Sequence, residues 1–328
     1  MKENTQIMES AFYLLQHCGS LRADETCLIL CDPVTRDIAE IFVAQGGKIA
    51  PKTRLIEIAS LRMHGEEPPA AAAQAMAQAD LIVSLCQYSL AHSRARIDAG
   101  KEGARFLSMP MYTMELMSDP AVTVDYHAQQ RTAQAVADFF TQGSSAHVTS
   151  AAGTDIRLTI AGRTGNCCPG FVKEPGDLGS PPDIEANVSP VELESNGVLV
   201  IDGSITCPEI GLVTDPVRLQ VEGGRIVEIS SPNPAYKEFL EKLFEDKDSK
   251  RRILAECGVG LNPAAKLTGT MLTDEGALGC LHFGFGSNHT VGGTNQVAFH
   301  LDFVFQNASL SIDGREIIKD GVLASWSA

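Results

Sequence analysis

The stretch Cys280-Leu281-His282-Phe283-Gly284-Phe285-Gly286, followed by Val297-Ala298-Phe299-His300-Leu301-Asp302-Phe303-Val304-Phe305, sets the character of the second half of the chain. Both runs alternate with the two-residue period of a β-strand. In the first, Leu281, Phe283 and Phe285 share one face, which leaves His282 among glycines on the other. In the second, Val297, Phe299, Leu301, Phe303 and Phe305 form an apolar face, and His300 and Asp302 project together from the opposite side. A core accounts for the phenylalanine faces. It gives no reason for two imidazoles and a carboxylate turned away from it. His-x-Asp on one strand, with a His from a nearby strand, suits a divalent metal. The alternative is an exposed polar strand face.

Working outward from these runs, residues 154–161, 198–201, 217–221 and 225–229 read as short strands joined by turns such as Glu222-Gly223-Gly224. Pro-rich loops occupy residues 168–190, and one charged helix is predicted over 234–252. This half reads as a β-rich α+β domain. The first half differs. Residues 26–31, 54–59, 80–85 and 105–108 are strand-like, and 35–45, 70–79 and 91–99 are helix-like, the first helix ending at Gly46-Gly47. That β-α-β-α order predicts an α/β domain with an open parallel sheet. No G-x-G-x-x-G follows the first strand, so nothing supports dinucleotide binding. The soft stretch Gly143-Ser144-Ser145 suggests a boundary, giving domains 1–145 and 146–328.

At 328 residues the chain can bury two cores, and its 44% hydrophobic content is that of a globular protein. The formal charge of −15 argues against nucleic acid as a partner. No run reaches membrane-spanning length, and residues 1–16 lack a signal-peptide profile. The nine cysteines form no C-x-x-C pair, so reduced thiols in a cytoplasm are expected. Cys257 and Cys280 flank candidate ligands and read as packing residues. In the first half, Ser89-Leu90-Ala91-His92-Ser93-Arg94 follows a strand, where ligands of open α/β sheets gather. Ser89 and Ser93 read as helix-start chemistry.

These motifs resemble those of the M29 metallo-aminopeptidases of the aminopeptidase T type. Glu185 stands five residues before Pro190, as in that family's Glu-containing loop, and Ala255-Glu256 matches its Ala-Glu run. Asp274-Glu275 through His282-Phe283-Gly284-Phe285-Gly286 matches its His segment, and His300-Leu301-Asp302 its H-x-D. The resemblance implies two divalent ions (Zn, Co or Mn) held by Glu185, Glu256, His282, His300 and Asp302, with Glu256 shared. It further implies Glu185 or Glu256 as the base for a metal-activated water, a homodimer, and removal of N-terminal residues from short peptides. Where those peptidases carry a Tyr, this chain has His289, a candidate base or spare ligand.

The chain is also similar to 2,5-dihydroxypyridine 5,6-dioxygenase, a ring-cleaving Fe(II) enzyme whose iron is held by two His and an Asp. His300 and Asp302 match its H-x-D, while its other His falls where this chain has Glu256. That resemblance implies a small aromatic substrate and a base role for His92. The five M29-type positions rank the hydrolase first and the Fe(II) dioxygenase second.

Overall fold

The computed structural model describes residues 2–325. Contacts divide the chain into two compact units, one of Met1–Tyr126 with Gly170–Pro182 and the other of His127–Pro169 with Asp183–Ala328. Together they make a mixed α/β fold.

The first unit is built on the expected parallel sheet. Its strands lie in the order Arg54–Glu57, Cys27–Cys31, Leu81–Ser84, Arg105–Ser108 and Leu178–Gly179, every neighbour parallel. Cys27–Cys31 and Leu81–Ser84 are buried at every position, as strands covered on both faces must be. On one face Leu28, Leu30, Ile82 and Phe106 pack with Ala72, Ala75, Met76 and Ala99 from helices. Leu178–Gly179 was not foreseen, because two residues carry no periodicity.

Two helix ends differ from the expectation. The helix Arg36–Ile49 runs through Gly46-Gly47 rather than stopping there. A Cβ at Gly46 would lie 2.8 Å from Thr53 Cγ2, so this glycine serves close packing and not a C-cap. The predicted helix over 91–99 begins later, as Arg94–Lys101. Ser93 Oγ accepts from Arg96 N at 3.2 Å, which is N-cap chemistry. At the start of the strand Arg105–Ser108, Arg105 and Glu25 form a buried ion pair, Nη2 to Oε2 at 2.8 Å.

The second unit holds two further sheets. One runs Arg225–Ser230, Val217–Glu222, Asn196–Ile201, Asp155–Thr159, Ser145–Ser150, Ala308–Ile312, Arg315–Lys319, Val322–Leu323. The other runs Gly211–Leu212, Ser204–Ile205, His300–Phe305, Leu281–Gly286, Leu254–Gly260, Glu185–Val188, Asn166–Cys168, and its pairs are antiparallel.

The phenylalanine face is core, as its alternation requires. Phe283 stacks on Phe305 at 5.7 Å, and Phe244 packs against Phe285, Phe299 and Phe303. The charged helix is shorter than predicted, Pro234–Phe244. It stops where Glu245 takes a left-handed φ of 60°. The buried Arg252 then donates to Glu245 O at 2.9 Å and Glu241 Oε2 at 2.6 Å. All nine cysteines are unpaired thiols. Among the described residues no helix is long and apolar enough to cross a membrane.

Candidate metal centre

Four adjacent strands of the seven-stranded sheet present one polar face. Cross-strand register sets Glu185 opposite Gly260, His282 opposite Gly258, Glu256 and Asp302 opposite Gly284, and His300 opposite Gly286. Each candidate ligand therefore stands against a glycine. Directly opposed residues on one sheet face are close neighbours, so a side chain at those positions would occupy the ligands' space. A Cβ at Gly258 would lie 2.0 Å from His282 Nε2, and one at Gly284 would lie 2.7 Å from His300 Nε2 and 2.8 Å from Asp302 Oδ1.

In that space two sets of ligand atoms converge, Glu185/Glu256/His282 and Glu256/His300/Asp302, each set lying within 4.8 Å. Glu256 belongs to both. Its Oε1 is 3.8 Å from His282 Nε2 and its Oε2 is 3.5 Å from His300 Nε2. Glu185 Oε2 is 3.1 Å from His282 Nε2, and Asp302 Oδ1 is 3.2 Å from His300 Nε2. All five residues named from sequence are thus brought together.

Two expectations about their setting are corrected. Glu185 and Glu256 lie within strands, Glu185–Val188 and Leu254–Gly260, and not in loops. The polar face is also not turned outward: His282 is 1% exposed, Asp302 6%, Glu185 6% and Glu256 7%. Only the His300 side chain, 29% exposed, opens toward solvent. Alternation tells which residues share a face, but not whether something covers it.

Two further acids, Asp183 and Glu275, lie at the centre; neither is given a ligand role in the sequence, although Glu275 stands in the matched segment before His282. Burial would raise the Asp302 carboxyl, but the charge and hydrogen bond of His300, followed by the charge of His282, hold it below its usual range. Buried without hydrogen-bond partners are Asp183 Oδ1, Glu185 Oε2, Glu275 Oε1 and His282 Nδ1. No local signal separates Asp183 from ordinary loop acids, since only the fold carries it here.

The electrostatics follow from five carboxylates gathered round two imidazoles. Burial first, then the neighbouring carboxylates, pushes the carboxyls of Asp183 and Glu256 up. Burial and the Asp302 charge do the same to Glu275. Burial disfavours an imidazolium, yet Asp302, Glu256 and the Ser287 carbonyl together outweigh it and lift His300 to about 10. His282 is likewise raised well above the ordinary imidazole range, Glu185, Glu256 and Glu275 together prevailing over burial. Alone, these groups offset their repulsion by taking up protons. Divalent cations would offset it directly, and the partnerless oxygens supply ligands, so the donor set fits such ions. Burial raises Cys257 to about 12 and Cys280 to about 11, leaving both as neutral thiols.

The segment between the His282 and His300 strands is anchored by the fully buried Asn288. Its Nδ2 donates to Ser189 Oγ and Glu192 Oε1, each at 2.9 Å, and its Oδ1 accepts from Asn295 N at 2.7 Å. The Ser287 carbonyl accepts from His300 Nδ1 at 2.8 Å. That bond directs Nε2 into the centre. Ser287 Oγ also hydrogen-bonds His289 Nδ1 at 2.8 Å, with His289 itself exposed. His92 lies in the other compact unit, in the turn before the helix Arg94–Lys101, and is exposed.

A family model described as NicX, 2,5-dihydroxypyridine 5,6-dioxygenase, matches residues 15–325. The chain belongs to the 2,5-dihydroxypyridine 5,6-dioxygenase family. Among solved structures, this family member resembles the 2,5-dihydroxypyridine dioxygenase of Pseudomonas putida KT2440 with a TM-score of 0.84, at 22% identity and over 98% of each chain. It also resembles wild-type AmpT from Thermus thermophilus, with a TM-score of 0.69 at 15% identity, over 98% of this chain and 100% of that one. At such identities both likenesses speak for the fold alone. No curated protein matches the chain. The two resemblances read from the motifs therefore change places, because family membership lies with the dioxygenase.

Proposed function

We propose that this protein is a metal-dependent enzyme that opens the ring of a small dihydroxylated nitrogen heteroaromatic with dioxygen. Membership of the dioxygenase family across residues 15–325 carries the reading. A redox-active ion such as Fe(II) would supply the electron chemistry that lets dioxygen react with an electron-rich ring. His300, Asp302 and Glu256 would hold it, at the end of the centre that opens to solvent. The Ser287 carbonyl fixes the His300 ring, whose Nε2 lies 3.2 Å from Asp302 Oδ1. His289, held by Ser287 Oγ, offers an exposed base for a ring hydroxyl proton. His92 is a second candidate for that role.

One observation favours a second reading. The two oxygens of Glu256 point to different histidines, which is how a carboxylate shared by two ions is disposed. On that reading Glu185, Glu256, His282, His300 and Asp302 hold two ions of the Zn, Co or Mn type. Glu185 or Glu256 then takes a proton from water in peptide hydrolysis.

Metal analysis of protein purified without added chelator, combined with oxygen-electrode assays on dihydroxypyridines, separates the two. One iron per chain with oxygen uptake is the expected result. Two Zn, Co or Mn ions per chain, no oxygen uptake and release of N-terminal residues from peptides would overturn it in favour of hydrolysis.

A further inference from the structure

We propose that Asn187 is a positioning residue for the buried half of the centre, locking Glu185 so that one carboxylate oxygen is reserved for a divalent cation. This rests on the second reading above, in which Glu185, Glu256 and His282 hold an ion beside the one on the His300 side.

Asn187 follows Glu185 by two residues on the same strand, so both side chains share the polar face. It is 2% exposed. Its Nδ2 donates to Glu185 Oε1 at 2.6 Å. The other oxygen, Oε2, faces only the second candidate ligand, His282, whose Nε2 lies 3.1 Å away. A buried carboxylate oxygen needs positive charge beside it, which the His282 imidazolium supplies in the metal-free protein and a cation held between the two supplies in its place. The amide thus engages one oxygen and leaves the other for the ion.

The direction of this amide is set from its far side. Asn187 Oδ1 accepts from Asn166 Nδ2 at 2.8 Å, and the same nitrogen donates to the Val291 carbonyl at 3.2 Å. A backbone carbonyl can only accept, so Asn166 must present its nitrogen. Asn187 must then turn its oxygen to Asn166 and its own nitrogen to Glu185. Cys168 Sγ, 3.7 Å from Asn187 Nδ2, takes up the remaining donor capacity. The relay Val291–Asn166–Asn187–Glu185 fixes the carboxylate without adding charge. Partners of this kind govern metal affinity by roughly 10- to 100-fold.

The test titrates Co²⁺ into full-length protein stripped with chelator, followed by calorimetry and visible absorption. Asn187→Ala should weaken Co²⁺ binding at one class of site by about 10- to 100-fold and alter its absorption bands, leaving the thermal midpoint of the metal-free protein near wild type. Asn166→Ala, at a half-buried edge-strand position, should shift affinity in the same direction by less. Glu185→Gln is the reference for losing the ligand itself. If Glu185→Gln weakens Co²⁺ binding and Asn187→Ala does not, the inference is overturned while the site stands. If Glu185→Gln leaves binding unchanged, the reading beneath it fails and takes the inference with it. Should Asn187→Ala not fold, unchanged Co²⁺ affinity in Asn166→Ala overturns the proposal.

Discussion

The imidazole of His282 fills the space that a side chain at Gly258, its cross-strand partner, would need. This relation explains why the strand Leu254–Gly260 carries glycines at alternate positions. They are the empty half of a face whose other half is ligands.

Gly258→Ala should therefore displace His282. Overpacking of this kind costs about 1–3 kcal/mol, so the thermal midpoint should fall and cation uptake with it. Gly47→Ala is the control: nothing lies within 4 Å of its Cβ position in the helix Arg36–Ile49, and stability should rise slightly. A wild-type thermal midpoint in Gly258→Ala would refute the placement of His282.

What could be read in the sequence was what is local. Phe283, Phe285, Phe303 and Phe305 declared a core face, and His300 with Asp302 declared its opposite, because both patterns repeat within a few residues. Glu185 and Glu256 came only from resemblance, since the pairing that joins them spans some seventy residues and has no local period. Asp183 and Asn187 were passed over for the same reason. Gly46 misled because a glycine that permits close approach to Thr53 looks, in sequence, like one that ends a helix.

Glu256→Gln should disturb both ligand sets, because each uses one of its oxygens. Metal analysis and Co²⁺ titration should show total uptake reduced by at least about tenfold in affinity. Asp302→Asn should affect the His300 set alone. Equal effects of the two variants would argue against a shared carboxylate.

Cation binding should release protons. His300, raised to about 10, is protonated at neutral pH in metal-free protein and must lose its Nε2 proton to become a ligand. Affinity should rise about tenfold per pH unit toward pH 10, and calorimetry in buffers of differing ionisation enthalpy would count the proton. The metal-free fold behaves oppositely. Stabilisation from this raised imidazolium is complete below the ordinary value of 6.5 and is lost as pH rises through about 10.

In the first unit, Arg105→Met should leave Glu25 buried without its partner and cost about 3–5 kcal/mol by urea unfolding. Burial raises the Glu25 carboxyl, but hydrogen bonding and charge from Arg105 and Arg22 hold it below its ordinary value of 4.5. Its contribution is thus present above that pH and lost as pH falls through the depressed value. An Arg105→Met protein with wild-type acid stability would contradict this.

The chain passes between its two compact units three times, after Tyr126, after Pro169 and after Pro182. No single cut can release either unit intact. A fragment ending near residue 145 would lack Leu178–Gly179, leaving Arg105–Ser108 as a bare sheet edge open to pairing with other chains. Heterologous production of an isolated half should begin from a permuted or spliced gene, and swapping of either unit between relatives would have to exchange interleaved segments together.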